Sequence, residues 1–250
     1  SMYALKNTLG STVVCISGPG GWGRGGEKSP ERARELFKMK LVDIPLDDFG
    51  KRIASARNEP ARMQRAVADA EEWLKLPGTS LETDRGFVDR AFLVASVFEE
   101  IMAEHKTQNI TVNNCMGAIM PLCETTACLS LTLINDAGAL AFCESDFAVI
   151  PSGILLHHIA GTPVFLQDPT YPHHGIITLA HCTAPRKMDG QTHEETRIVT
   201  HYESDYGAAP KVNMRLGQTV TVIDPDFENK QWIGFRGKIE ANPFLDICRS

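Results

Sequence analysis

Apolar runs and amphipathic segments alternate along the first two thirds of the chain, and this order predicts an α/β fold. Short apolar runs typical of buried strands occur at 11–17, 40–46, 109–115 and 139–143. Strands that alternate with helices favour a mainly parallel sheet joined by right-handed crossovers. The first of these runs, "STVVCIS", leads into a glycine-rich segment, "GPGGWGRGG".

Helical spacing, with apolar residues three and four positions apart, fills the segments between these strands. One helix is predicted to begin at Ser29, with Pro30 at its first position, where the missing N–H costs nothing. The other main predicted helices cover residues 61–76, 88–105, 124–136 and 147–161, the last as a crossover after strand 139–143.

The pattern changes near residue 185. Short β-rich runs separated by turn residues follow, among them "TRIVTHYES", "KVNMRLG" and "QTVTVIDPD". We therefore predict an α/β domain over residues 1–185, which carries the candidate site. A smaller antiparallel β domain is predicted over 186–250, with a barrel as one arrangement that it allows.

Composition excludes several functional classes. The 250 residues are 43% hydrophobic and 22% charged, which is ordinary for a globular protein. A net charge of −6 opposes nucleic-acid binding, for which a basic surface is typical. No apolar run approaches the roughly 20 residues of a membrane span, so we predict no membrane partner. Seven cysteines without a CxxC motif disfavour a disulfide framework and predict a cytoplasmic location.

Two acids follow the predicted strand 139–143 in the sequence "LAFCESDF". Burial of a carboxylate without a partner is costly, so both need an explanation. Asp146 is either a ligand or the cap of the helix predicted from Phe147. Glu144 is harder to explain by structure alone, because it ends a buried strand.

The segment 162–185 supplies two partners for these acids. Its β runs, 164–167 and 176–180, flank a turn, and a hairpin centred on that turn places Asp168 opposite His181. Facing residues in an antiparallel pair have Cβ atoms about 4.5–5.5 Å apart. Each residue also has a structural interpretation, Asp168 as a turn residue before a proline and His181 as a core histidine.

The crossover makes the strands 139–143 and 163–167 parallel, so their carboxyl ends share the edge where α/β sheets bind ligands. Glu144 or Asp146, Asp168 and His181 are therefore expected to converge. Carboxylate oxygens with one neutral imidazole suit Mn²⁺ or Mg²⁺ better than a thiolate-bound zinc.

Three other features complete the candidate chemistry. Cys143 and Cys182 flank the expected ligands, and strand alternation predicts that both point to the opposite face. Glu124, at the start of a predicted helix, is either a first-turn acid or a second acid of the site. The glycine-rich segment 18–26 matches neither a P-loop nor GxGxxG, and we interpret it as an active-site loop or a packing loop.

The stretch from Asn113 to Pro185 resembles the L-fucose/L-arabinose isomerase superfamily, and in particular its L-fucose isomerase-like sugar isomerases. The motif "ESD" after a strand and the hairpin "FLQD…AHC" carry this resemblance. In the arabinose-type pattern the ligands carried over are Glu144, Asp168 and His181. In the fucose-type pattern Asp146 and Glu124 take the roles of the acids.

The resemblance implies an aldose–ketose isomerase that uses Mn²⁺, or another divalent ion, and an ene-diol. The metal would polarise the substrate oxygens, while Glu144 and Asp168 act in acid–base catalysis and His181 completes the metal shell. It also implies a monosaccharide substrate and a homo-oligomer, either a trimer or a hexamer.

Two departures from the family pattern lead us to expect a shortened relative or a truncated core. The family's N-terminal domain has no counterpart, and neither does its last histidine ligand, since nothing after His201 matches it. A non-catalytic carbohydrate-binding or regulatory protein on the same fold is the alternative. A metal-dependent aldolase or lyase is a third hypothesis.

Overall fold

The computed structural model of the protein describes residues 2–23, 25–227 and 229–250. Its strands are β1 (Thr12–Ile16), β2 (Lys40–Ile44), β3 (Thr79–Leu81), β4 (Asn109–Val112), β5 (Leu140–Phe142), β6 (Asp168–His173), β7 (Ile176–Ala180), β8 (Glu195–His201), β9 (Tyr206–Asn213), β10 (Thr219–Asp226) and β11 (Gln231–Lys238). Its α-helices are α1 (Met2–Thr8), α2 (Ser29–Leu36), α3 (Leu46–Arg57), α4 (Pro60–Leu74), α5 (Arg85–Glu104), α6 (Met120–Cys123), α7 (Cys128–Asp136) and α8 (Ile150–Ala160).

A four-stranded parallel sheet in the order β2-β1-β4-β5 forms the main layer, with smaller antiparallel and mixed sheets beside it. This arrangement confirms the predicted α/β fold class. Each of the four strands lies inside a predicted apolar run. Each is shorter than its run because the end residues of the run leave the hydrogen-bonded ladder.

Both faces of this sheet are buried, as the continuous apolar strands predict. Val14 and Ile16 of β1 face a core that includes Phe49 and Phe98, whose rings stack 5.6 Å apart. The alternate residue Cys15 faces a second core. The side chains that cover this second face come from α2, β5 and α8 and include Ala33, Leu140, Phe142, Ile150 and Ile154.

The predicted helices exist, but two of them begin later than predicted. Helix α7 begins at Cys128 rather than 124, because Glu124 is left-handed, with φ 52°, and ends α6. Helix α8 begins at Ile150 rather than 147, after a turn that starts at Asp146. Helix α2 begins at Ser29, as predicted.

The strands after residue 185 are antiparallel to their chain neighbours, β8 with β9 and β10 with β11. β8 also pairs in parallel with β3, and Ile198 shares a core cluster with Val88 and Leu129. Contacts therefore cross the expected domain boundary, and that boundary stays a prediction.

Among the residues that the structure describes, no single helix is long and apolar enough to cross a membrane. Two segments bent by 86° relative to each other, Cys115–Cys123 and Cys128–Asp136, reach that length and apolarity only together.

Candidate metal centre

A constrained turn at the carboxyl end of β5 positions the first candidate ligand. Glu144 has φ 62° and Ser145 has φ 48°, both in the left-handed region that few non-glycine residues occupy. Such residues cost about 1–3 kcal/mol each and occur preferentially at functional sites. The Ser145 N–H donates to Thr111 Oγ1 at 3.1 Å, and this hydrogen bond ties the turn to β4. The position of Glu144 is therefore set by the sheet.

The hairpin that carries Asp168 differs from the predicted one. Residues 163–167 form no strand and do not pair with β5, and Asp168 faces Ala180 rather than His181. The predicted register holds near the turn and then slips by one residue between Thr170 and His173. Tyr171, with φ 47°, lies in this irregularity between two prolines that cannot donate to the ladder.

Glu144, Asp168 and His181 nevertheless lie together. Each offers one ligand atom, and these atoms are all within 4.8 Å of one another. His181 follows the last residue of β7, and its Nε2 is 4.0 Å from Asp168 Oδ2. Two backbone hydrogen bonds with Ser250, of 2.8 and 3.0 Å, hold His181 in place. Glu144 and His181 follow strand ends, and the β6–β7 pairing places Asp168 opposite Ala180 and therefore next to His181.

The spacing of these donors fits a small divalent cation. Donors on opposite sides of an ion with bonds of 2.0–2.1 Å are about 4 Å apart, and adjacent donors are about 3 Å apart. Side-chain movements of under about 1–2 Å would bring the three ligand atoms to these donor–donor distances. The buried Ser145 Oγ has no hydrogen-bond partner among the described residues, so the site also holds an unsatisfied polar atom.

Charge at the site points the same way. Burial, together with the nearby carboxylates of Asp168, Asp146 and Glu203, raises the pKa of Glu144 to about 7. Partial desolvation also raises the pKa of Asp168, although 68% of its side-chain surface is exposed. Among the described residues, neither Glu144 nor Asp168 forms an ion pair with a lysine or an arginine. A bound cation would stabilise the ionised carboxylates that burial disfavours.

His181 is suited to be the neutral ligand. Burial, together with the nearby His201, lowers its pKa to about 4. The imidazole is therefore uncharged at neutral pH and keeps a lone pair for a metal. Two carboxylates and one neutral imidazole form a donor set that fits Mn²⁺ or Mg²⁺.

The raised pKa of Glu144 predicts a pH-dependent stability in the metal-free protein. Between the ordinary value of 4.5 and about 7 the folded state binds more protons than the unfolded state. The contribution of Glu144 is therefore present below pH 4.5 and is lost as the pH rises to 7. We expect a loss of about 1–2 kcal/mol after solvent screening.

Denaturant unfolding of the wild type and of Glu144→Gln gives the free energy of unfolding of each protein across this pH range. The difference between the two values at each pH measures this loss. The subtraction removes the contribution of His181, which has the opposite sign because its pKa is lowered by folding. If the free energy of unfolding of the wild type minus that of Glu144→Gln stays constant or increases with pH, the prediction is contradicted.

Asp146 serves the local turn in this structure. Its Oδ1 accepts hydrogen bonds from the Ala148 N–H at 3.0 Å and from the Trp22 N–H at 3.1 Å. It is absent from the close donor groups found among the described residues. The capping interpretation therefore matches its contacts, although it caps the turn before α8 rather than the helix itself.

The glycine-rich segment lies directly against this turn, apart from Arg24, which is outside the described residues. The Gly20 N–H donates to Ser145 O at 3.1 Å, and the Phe147 N–H donates to Gly20 O at 3.1 Å. A cavity of about 280 Å³ opens beside it, lined by residues that include Trp22, Ser29, Ala148 and Asp224. The segment is therefore a packing loop at the border of the candidate site.

Gly21→Ala should destabilise this loop by about 1–3 kcal/mol. A Cβ at Gly21 would overlap Ser29 Oγ and Gly26 O, which are themselves hydrogen-bonded to each other. The control is Gly50→Ala in α3, where the nearest atoms are the Leu122 methyl carbons at 3.4 and 3.5 Å. The control should gain up to about 1 kcal/mol from helix propensity. Equal urea midpoints for the two variants would contradict this account of the loop.

Glu124 lies apart from the other candidate residues. Its carboxylate is paired with Arg57 at 2.8 Å, and its side chain is 53% exposed. Its backbone carbonyl accepts a hydrogen bond from Arg90 Nε at 2.7 Å. The structure therefore brings together the acids of the arabinose-type pattern, whereas Asp146 and Glu124 of the fucose-type pattern have separate structural contacts.

The prediction that Cys143 and Cys182 point away from the site is wrong. Ligand atoms of Cys143, His181 and Cys182 lie within 4.8 Å of one another, and Cys182 Sγ is 3.5 Å from His181 Nδ1. Residues 181–184 have left the β7 ladder, so strand alternation no longer applies to them. Sequence reasoning also missed Glu203 and His201. Their spacing of two residues at the end of a β run was the available signal.

Comparison of the chain with protein-family models and with curated proteins found no match. The resemblance to sugar isomerases therefore stays an expectation.

Proposed function

We propose that this chain is a metal-dependent aldose–ketose isomerase, or the core of one, acting on a monosaccharide through an ene-diol. The convergence of Glu144, Asp168 and His181 within 4.8 Å at strand ends carries the proposal. The site lies at the edge of the sheet where α/β proteins bind small molecules.

Glu144 is the proposed proton carrier. A general acid–base catalyst works best when its pKa is near the working pH, and in the metal-free protein that of Glu144 is raised to about 7. Its carboxylate would take a proton from one substrate carbon and return it to the neighbouring carbon. The left-handed turn at Glu144 and Ser145 would hold the carboxylate in one position during both transfers.

Asp168, His181 and one carboxylate oxygen of Glu144 are proposed to hold the cation. Mn²⁺ is the ion that we propose, and Mg²⁺ or another divalent ion suits the same donors. When bound, the cation supplies Lewis-acid polarisation of the substrate oxygens. The partial exposure of Asp168, whose side chain is 68% exposed, would leave room for substrate.

We further propose a homo-oligomer, a trimer or a hexamer, in a reducing compartment such as the cytoplasm. Exposed apolar side chains on β11, including Trp232 at 50% and Ile233 at 52%, support a subunit contact on this hairpin. All seven cysteines are free thiols, which supports the reducing compartment.

A panel of aldoses incubated with the metal-free protein, and with protein supplied with Mn²⁺, tests the function. We expect conversion to the matching ketose only with the metal, without cleavage of a C–C bond. Cleavage products would identify an aldolase or a lyase instead. Saturable sugar binding without any conversion would contradict the enzyme and favour the carbohydrate-binding alternative.

A further inference from the structure

A cluster of thiols and imidazoles lies next to His181, around its Nδ1 atom. Ligand atoms of Cys128, Cys182 and His201 lie within 4.8 Å of one another. The thiol of Cys143 also lies within 4.8 Å of the Cys182 thiol. All four side chains are buried, and the most exposed of them, His201, shows 7% of its surface.

Four separate elements bring these residues together. Cys128 is the first residue of α7, Cys143 follows β5, Cys182 follows β7, and His201 ends β8. Ala209 of β9 packs against Cys128 and Cys182. A single buried cysteine is usually a small apolar side chain, but thiols in mutual contact beside an imidazole form a ligand set for a metal.

The geometry matches a soft ion. Zinc–sulfur bonds of about 2.3 Å and zinc–nitrogen bonds of about 2.0 Å put tetrahedral ligands about 3.5–3.8 Å apart. The 4.8 Å group is within a small side-chain adjustment of that size. Ser204 Oγ lies 3.1 Å from His201 Nδ1, a contact of the kind that orients a histidine ligand.

Charge and donor type separate this cluster from the carboxylate site. Two thiolates and one neutral imidazole balance the charge of a divalent ion, as a buried site requires. Sulfur donors select zinc-like ions, whereas carboxylates select Mn²⁺ or Mg²⁺. His181 stays with the carboxylates through Nε2, while its Nδ1 faces Cys182.

We propose that Cys128, Cys182 and His201 bind one Zn²⁺ ion per chain, with the fourth position open to Cys143, whose thiol is within 4.8 Å of the Cys182 thiol but outside the group of three. Binding deprotonates the thiols that coordinate the ion and releases those protons to solvent. The site does not depend on the isomerase function. It would join α7, β5, β7 and β8 through one buried ion and thereby stabilise the base of the candidate active site.

Cobalt titration of the reduced, metal-free protein tests the proposal, because Co²⁺ reports its ligands by absorption. We expect one equivalent to give thiolate-to-cobalt charge transfer and the intense d–d bands of a tetrahedral ion, and one equivalent of Zn²⁺ to abolish both. Cys182→Ala and Cys128→Ala should each weaken binding at least about 100-fold.

Two control variants keep the test specific. Cys15→Ala removes a buried thiol in β1, away from the cluster, and should leave the spectrum unchanged. Asp168→Asn should also retain the charge-transfer band, because it affects only the carboxylate site. Circular dichroism verifies folding, and His201→Gln replaces any cysteine variant that does not fold.

Three results would overturn the proposal. The first is the absence of a charge-transfer band in the folded, reduced wild type. The second is a band of unchanged strength in a folded Cys182→Ala or His201→Gln variant. The third is a Cys128–Cys182 disulfide that persists in place of bound metal under reducing conditions.

Discussion

Glu144→Gln should lower the rate of aldose–ketose conversion by about 10²–10⁴-fold at saturating Mn²⁺. Glutamine has nearly the same shape and keeps one oxygen as a ligand, but it cannot accept a proton and return it. Initial rates over a range of Mn²⁺ concentrations separate this loss from weaker metal binding, because only the binding defect is recovered at high metal.

Two other glutamate variants serve as controls for that measurement. Glu99→Gln replaces another acid whose pKa is raised by burial, on helix α5, and should keep the wild-type rate. Glu124→Gln removes the acid of the fucose-type pattern and should lose little activity, because Glu124 is paired with Arg57. A large loss in Glu124→Gln with a small loss in Glu144→Gln would reverse the assignment of the catalytic acid.

Mn²⁺ at about 100 times its dissociation constant should raise the Tm of the wild type by about 5–10 °C. Binding to the folded state alone contributes about 2.7 kcal/mol at that excess, and 1 kcal/mol shifts Tm by about 2–4 °C in a chain of this size. Asp168→Asn and His181→Gln should each abolish most of this increase, since each removes one of three ligands that lie within 4.8 Å.

Differential scanning calorimetry with and without the metal measures the effect, and Glu99→Gln serves as the matched variant. Glu99 is an exposed acid on α5 whose pKa is also raised, and it contributes no ligand to the described donor groups. Stabilisation of equal size in Asp168→Asn and in the wild type would show that Mn²⁺ binds elsewhere on the protein.

The parallel sheet could be predicted because its signals are local. Each apolar run of β1, β2, β4 and β5 is bounded by turn residues, and the helices between them show clear periodicity. Helix starts were less predictable, since the start of α7 depends on the left-handed conformation of Glu124. No simple sequence pattern marks a non-glycine residue for that conformation.

The residues of the candidate site could be predicted from the sequence. The way in which the fold brings them together could be predicted only in part. Glu144, Asp168 and His181 were selected because they follow apolar runs, and the structure does bring them together. The predicted register, which placed Asp168 opposite His181, is wrong because the irregularity at Tyr171 shifts the ladder by one residue. Asp168 and His181 nevertheless lie close together because both are near strand ends.

The thiol cluster could not be predicted from a single sequence. Cys128 and His201 are 73 residues apart, and only the packing of α7 against the β8–β9 pair brings them together. Strand alternation was extended past Ala180, where the ladder ends, and it therefore gave Cys182 the wrong direction. Contacts between elements that are far apart in sequence decide both the position of the thiol cluster and the direction of the Cys182 side chain.

The most direct test of the central claim is the position of Mn²⁺ in crystals of this protein, measured by anomalous scattering on both sides of the manganese absorption edge. The account predicts one strong peak about 2–2.3 Å from a carboxylate oxygen of Glu144, one of Asp168, and Nε2 of His181. A peak that touches none of these three residues, or no peak at a metal concentration that supports activity, would contradict it.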